Sequence, residues 1–320
     1  MPRKLVTVIP SLAPEHVERI RTEANRLGFE AAYFGNCTDA QAALLEAEVV
    51  FGQDENLPRL APRLKWLCSP SAGINQFCEP NSAFPEGAML TNSSGAYGVT
   101  IAEHIFMVTL EMQRRQMEYV ALARKHVWRR DLAVRSIYGS RVLLLGTGDI
   151  GRQAAKRLRA FGPKAILGVS LSGRAEEGLF DEVYTADALP ALLPRTDILI
   201  ISLPGTALTY HMFDGSMLDL LPENALIVNV GRGSVIDFAA LEARLRTGRL
   251  RAALDVFENE PLKPDDPAWE CPNLLLTQHT AGNMTLPYTV QRIVDMFLED
   301  LERYAGGEPL LHLVNRQKGY

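Results

Sequence analysis

Three polar side chains each follow a short apolar run in the second half of the chain. Arg232 comes after residues 225–230, Glu260 lies just beyond 252–255, and His279 ends the run at 274–277. An imidazole with a carboxylate beside it and a guanidinium nearby suits one task, the reduction of a carbonyl that carries a carboxylate. The histidine can protonate the oxygen as negative charge develops there. The carboxylate favours the charged imidazole, and the arginine can grip a substrate carboxylate through two parallel hydrogen bonds while polarising the carbonyl. Singly, each residue also has a structural reading: a helix cap for Arg232, a surface acid in E-N-E-P for Glu260, a core residue for His279. Their joint placement after three successive strands favours the chemical one.

The elements that must position these groups begin at residues 142–151, V-L-L-L-G-T-G-D-I-G. An apolar strand run breaks into Gly146, Gly148 and Gly151, and a helical pattern continues to residue 161. This is the setting in which G-x-G-x-x-G binds a dinucleotide. The first glycine permits the turn, the second lets a pyrophosphate approach the backbone, and the third lets helix and strand pack closely. A glycine triplet alone is also compatible with a plain strand-to-helix turn.

Further strand runs at 165–169, 197–202, 225–230, 252–255 and 274–277 complete a six-stranded pattern with helical intervals, as a doubly wound sheet requires. Earlier in the chain, strand runs at 4–9, 31–34, 48–51 and 64–68 alternate with helical stretches at 14–27 and 39–47, which predicts a smaller parallel α/β domain. One long helix is expected over 100–126; His104 on it is read as structural, and the basic stretch 124–135 as a solvated face. An amphipathic helix over 287–304, apolar at Val290, Ile293, Val294, Phe297 and Leu301, follows the last strand and should return to the first domain. The fold expected is therefore α/β: a Rossmann doubly wound parallel sheet plus a discontinuous, flavodoxin-like α/β substrate domain. The boundaries are 1–99 with 287–320 for the substrate domain and 100–286 for the dinucleotide-binding domain.

The bulk numbers narrow the function classes. A chain of 320 residues accommodates two domains, and 47% hydrophobic with 22% charged residues is ordinary for a globular protein. The formal charge of -5 argues against nucleic-acid binding, and no apolar run approaches membrane-spanning length. The N-terminus lacks a signal-peptide core. Cys37, Cys68, Cys78 and Cys271 show neither C-x-x-C spacing nor nearby histidine pairs, so no metal site is expected and a cytoplasmic location is.

With these motifs assembled, the chain resembles the D-isomer-specific 2-hydroxyacid dehydrogenase family over nearly its whole length. The resemblance rests on A-G-I-N from Ala72, T-I-A-E-H from Thr100, G-T-G-D-I-G from Gly146 and L-P-G-T-A-L-T from Leu203. It continues in V-N-V-G-R-G-S-V-I-D from Val228, A-L-D-V-F-E-N-E-P from Ala253 and T-Q-H-T-A-G from Thr277. It implies a catalytic set of Arg232, Glu260 and His279, with His279 as general acid–base, and a substrate-carboxylate site at Ala72, Gly73 and Arg232. Cofactor contacts are implied at Thr100, Gly146, Gly148, Asp149, Ile150, Gly151, Leu203, Pro204, Thr209, Val230 and Asp255, and so is a homodimer. Two departures stand out. Gln278 occupies the place of the family's usual proline. The second strand runs into L-G-V-S-L-S-G-R, with Ser170 where NAD-preferring enzymes carry an acid. Ser170, Ser172 and Arg174 can donate to a ribose 2′-phosphate, so NADP is the expected cofactor, with NAD possible. The substrate expected is a small 2-keto acid of the glyoxylate or hydroxypyruvate type. The alternative is a cofactor-sensing, corepressor-like binding protein of the same fold with little turnover.

Overall fold

A computed structural model of the chain describes residues 3–78 and 82–316. Residues 1–2 and 317–320, at the ends of the expected substrate domain, lie outside the described residues. The chain divides into two compact units, Met1–Tyr97 with Met284–Tyr320, and Gly98–Asn283.

The first unit is built on five parallel strands: β1 (Arg3–Val8), β2 (Phe29–Phe34), β3 (Val49–Gly52), β4 (Trp66–Cys68) and β5 (Met89–Thr91), in the order β2-β1-β3-β4-β5. This is the flavodoxin-like winding. β5 is absent from the sequence-based expectation because only three residues separate a glycine turn from a polar loop. The helix Pro287–Gly306 belongs to this unit and buries Ile293, Val294, Phe297 and Leu301. Its Phe297 ring stacks on Phe51 of β3 at 4.1 Å and on Trp66 of β4 at 5.5 Å. Burial of such a side chain stabilises by about 1.5–3 kcal/mol, and this contact anchors the returning segment.

The second unit is a seven-stranded parallel sheet of β6 (Arg141–Leu145), β7 (Ala165–Val169), β8 (Glu182–Tyr184), β9 (Ile198–Ile201), β10 (Leu226–Asn229), β11 (Arg251–Leu254) and β12 (Leu274–Leu276). The order β12-β11-β10-β9-β6-β7-β8 reverses direction between β6 and β9, the switch point at which doubly wound sheets bind their ligands. β6, β9 and β10 are buried along nearly their whole length, which explains their continuous apolar runs. The expectation of six strands is corrected to seven. β8 is a three-residue edge strand with no buried position, so it carries no hydrophobic signal. The single helix expected over 100–126 is also corrected. It breaks at Arg115, whose φ of 56° is left-handed, into Gly98–Arg114 and Gln116–Arg124.

Candidate active site

The glycine motif lies between β6 and the helix Asp149–Leu158. Gly146 has a φ of 97°, and a Cβ there would come within 2.7 Å of Ser202 Oγ. A Cβ on Gly151 would overlap the Gly146 carbonyl, so helix and strand touch through bare backbone. Gly148 faces open space, with nothing within 4 Å of a Cβ position, and as N-cap it offers no side-chain acceptor to the first helical N–H groups. Open space against a helix N-terminus is the shape a pyrophosphate fits. The Asp149 carboxylate packs against Gly98, at the start of the neighbouring helix that also carries Thr100, while Ile150 is partly buried in the first helical turn.

After β7, Ser170 closes a tight loop. Its Oγ accepts from the Arg174 N–H at 3.2 Å and donates to the Arg174 carbonyl at 3.0 Å. Ser172 and the Arg174 side chain are exposed. The first acid downstream, Glu176, sits 3.7 Å from Arg152. After β9, Leu203 and Pro204 enter a loop that Thr209 holds from inside. The Thr209 hydroxyl donates to the Pro204 carbonyl at 2.7 Å and accepts from the Thr206 N–H at 2.9 Å. Val230, 7% exposed, continues β10 by donating to Ile201 O at 3.0 Å.

The loop after β10 places Arg232 through close backbone approach on both sides. A Cβ on Gly231 would lie 2.5 Å from the Leu203 carbonyl oxygen, and one on Gly233 would overlap the backbone of Phe257 and Glu258. Asn229 ties the turn by donating to the Arg232 carbonyl at 2.9 Å and accepting from the Gly231 N–H at 3.0 Å. Arg232 Nη1 donates to Gly231 O at 2.7 Å. Burial lowers the guanidinium pKa from its ordinary value, and the Glu260 charge opposes that shift.

His279 and Glu260 form a dyad, with Nδ1 and Oε2 2.6 Å apart. The other Glu260 oxygen accepts from the Phe257 N–H at 2.7 Å. The hydrogen bond to Glu260 raises the His279 pKa above its usual value, against partial burial and the charge of Arg232. Burial pushes Glu260 upward, but its hydrogen bonds from His279 and Phe257, with the charges of His279 and Arg232, leave it below the usual carboxylate range. With Nδ1 held by Glu260, Nε2 is the nitrogen left to face a substrate. His279 adopts a φ of 54°, a conformation that costs a non-glycine residue of order 1–3 kcal/mol and persists only where surrounding structure enforces it. A cavity of about 520 Å³ opens at the dyad, lined also by Phe257, Leu262, Trp269, Leu276 and Gln278.

Asp255 provides that enforcement. It is 3% exposed, and its Oδ1 accepts from Thr277 Oγ1 at 2.6 Å and the Thr280 N–H at 2.9 Å. Its Oδ2 accepts from the Ala281 N–H at 3.0 Å, and its carbonyl accepts from the His279 N–H at 2.8 Å. Sequence reasoning passes over Thr277 and this bracing of the histidine loop. The only available sign is a threonine two residues before the histidine at a strand end, which shares its face of the strand.

In the first unit, Ala72 and Gly73 lie in the loop after β4, where Asn92 Nδ2 donates to Ala72 O at 2.9 Å. Among the described residues, no cluster of His, Cys, Asp or Glu could hold a metal ion and no helix is long and apolar enough to cross a membrane.

Residues 106–281 match the family model of the D-isomer specific 2-hydroxyacid dehydrogenase NAD binding domain. The chain belongs to the D-isomer specific 2-hydroxyacid dehydrogenase family. A glyoxylate reductase of Aeropyrum pernix is 33% identical over 274 residues, covering 82% of this chain and 80% of the relative. A family protein from Aeromonas salmonicida superposes with a TM-score of 0.87 at 31% identity, covering 99% of this chain and 100% of its own. The NADPH-dependent glyoxylate/hydroxypyruvate reductase of Sinorhizobium meliloti, solved with NADP and sulfate, reaches 0.84 at 30% identity with the same coverage.

Proposed function

We propose that this family member reduces a small 2-keto acid, of the glyoxylate or hydroxypyruvate type, to the D-2-hydroxy acid with NADPH as preferred donor. The observation that carries this reading is the His279–Glu260 dyad beside Arg232 on the carboxyl edge of the sheet. The glycine cradle at Gly146, Gly148 and Gly151 would hold the pyrophosphate, and the bound nicotinamide would supply a hydride. The protein's own groups do the rest. Charged His279 donates its Nε2 proton to the carbonyl oxygen while Glu260 steadies the Nδ1 proton. Arg232 grips the substrate carboxylate and draws electron density toward the carbonyl oxygen. The family resemblance adds the N–H groups near Ala72 and Gly73 to the carboxylate contacts.

Preference for NADPH is supported by the end of β7, where Ser170 and not an acid follows the strand, and exposed Ser172 and Arg174 can donate to a 2′-phosphate. The Sinorhizobium reductase, bound to NADP, supports it too. A homodimer and a cytoplasmic location complete the proposal.

The test is steady-state turnover of a 2-keto acid panel with NADPH and NADH, alongside His279→Ala. We expect turnover with glyoxylate or hydroxypyruvate, a higher kcat/KM with NADPH, and a loss of about 10²–10⁴-fold in kcat for the variant with NADPH affinity retained. Cofactor binding without turnover of any 2-keto acid would favour a cofactor-sensing protein instead.

A further inference from the structure

The side chain of His104, on the helix Gly98–Arg114, is 9% exposed, and its Nε2 points at the bracing network of the His279 loop. It lies 3.2 Å from Thr277 Oγ1 and 3.7 Å from Asp255 Oδ1. Thr277 has one hydroxyl proton, and at 2.6 Å that proton goes to Asp255 Oδ1. Toward His104 the threonine oxygen can only accept. His104 must therefore carry its proton on Nε2 and donate it, which settles its tautomer. Burial, the largest influence on it, lowers its pKa and favours the neutral ring, so the donor is a single directed N–H. The result is a chain in one sense: His104 Nε2–H to Thr277, Thr277 O–H to Asp255, and Asp255 gripping the backbone N–H groups of Thr280 and Ala281.

We propose that His104 is a positioning residue for His279, acting through Thr277 and Asp255 to hold the histidine loop in its left-handed conformation. The inference rests on the proposed reaction only for its kinetic readout. His104 Nε2 faces Thr277 and Asp255 and not the dyad itself; it fixes the rotamer of Thr277, and so the direction from which Asp255 is bonded. Without that N–H donor, Thr277 is free to turn away, and Asp255 loses the hydroxyl that completes Oδ1. A catalytic imidazole displaced by a fraction of an ångström loses much of its effect, because proton transfer demands close alignment.

The tautomer makes the test specific. Glutamine places an amide N–H near the position of imidazole Nε2, whereas asparagine mimics Nδ1. Four variants are compared with wild type: His104→Phe, His104→Gln, His104→Asn and Thr277→Val. Amide exchange of Thr280 and Ala281 is read by NMR, and kcat and NADPH KM are read in the reductase assay. We expect His104→Phe, His104→Asn and Thr277→Val to speed exchange of both amides and to lower kcat about tenfold with KM for NADPH within twofold. His104→Gln should restore both. Unchanged exchange in His104→Phe and Thr277→Val, or equal rescue by asparagine and glutamine, would overturn the proposal. Amide exchange needs no turnover, so it decides the inference even if no 2-keto acid is reduced. Thr277→Val, close in shape to threonine, keeps the question answerable if His104→Phe fails to fold.

Discussion

Gly231→Ala separates packing from chemistry at the arginine loop. The added Cβ would meet the Leu203 carbonyl oxygen at 2.5 Å, Leu203 N at 2.8 Å and Ser202 C at 3.1 Å, all backbone atoms that no rotamer change can move aside. Ordinary contact begins near 3.4 Å, so the loop carrying Arg232 must retreat from the Leu203 segment by about 0.9 Å. Overpacking of this kind costs about 1–3 kcal/mol, which lowers the Tm of a unit this size by roughly 2–12 °C. Displacing Arg232, the group proposed to grip the substrate carboxylate, by nearly 1 Å should also cut kcat/KM by roughly 10–100-fold. The control is Gly148→Ala, whose Cβ meets nothing within 4 Å; its backbone, at φ −73°, suits alanine. This variant should melt with wild type yet bind NADPH more weakly, because the methyl group occupies the space proposed for the pyrophosphate. Thermal melts, NADPH fluorescence titration and steady-state kinetics on both variants complete the comparison. A Gly231→Ala enzyme melting within 1 °C of wild type, with kcat/KM within twofold, would refute the packing argument.

Further outcomes are expected for three variants. In Glu260→Gln the His279 pKa loses the interaction that raises it. In the proposed mechanism reduction needs the charged imidazole and fails as pH rises through that pKa, so the alkaline limb of the kcat profile should move to lower pH; an unmoved limb would contradict the dyad. The same pair links stability to pH. Because the His279 pKa is raised from 6.5, its contribution is complete below 6.5 and fades as pH rises through the folded value. The Glu260 pKa is lowered from 4.5, so its contribution is complete above 4.5 and fades as pH falls through the folded value. The Tm difference between wild type and Glu260→Gln should therefore peak between those limits. It should correspond to no more than about 1 kcal/mol, since both side chains reach solvent. Ser170→Asp, which places an acid at the end of β7, should weaken NADPH and favour NADH in kcat/KM; retained NADPH preference would sink the 2′-phosphate argument. Phe297→Ala, which empties the fully buried position between Phe51 and Trp66, should destabilise by about 3–5 kcal/mol, read as a lowered denaturation midpoint with secondary structure retained.

The legibility of this chain follows burial. β6, β9 and β10 are buried on both faces, so their apolar runs survive in the sequence as near-continuous hydrophobic strings. The helix Pro287–Gly306 shows its apolar stripe because one face packs on β3 and β4. β5 and β8 are three residues each, too short for periodicity to register. The break at Arg115 depends on a left-handed residue that is not glycine, and nothing in local composition announces it.

The sequence alone determined the two α/β units, the winding of the larger one and the glycines at its switch point. It also put an arginine, a glutamate and a histidine after successive strands. Those properties depend on the order of elements and on residue types that only certain turns accept. Only the tertiary structure decided that Nδ1 of His279 meets Glu260 at 2.6 Å, and that both Asp255 oxygens accept hydrogen bonds from the histidine loop. It also decided that His104 reaches that brace across 173 residues of sequence. Hydrogen-bond direction depends on distances of tenths of an ångström between groups remote in the chain, and no local pattern encodes those.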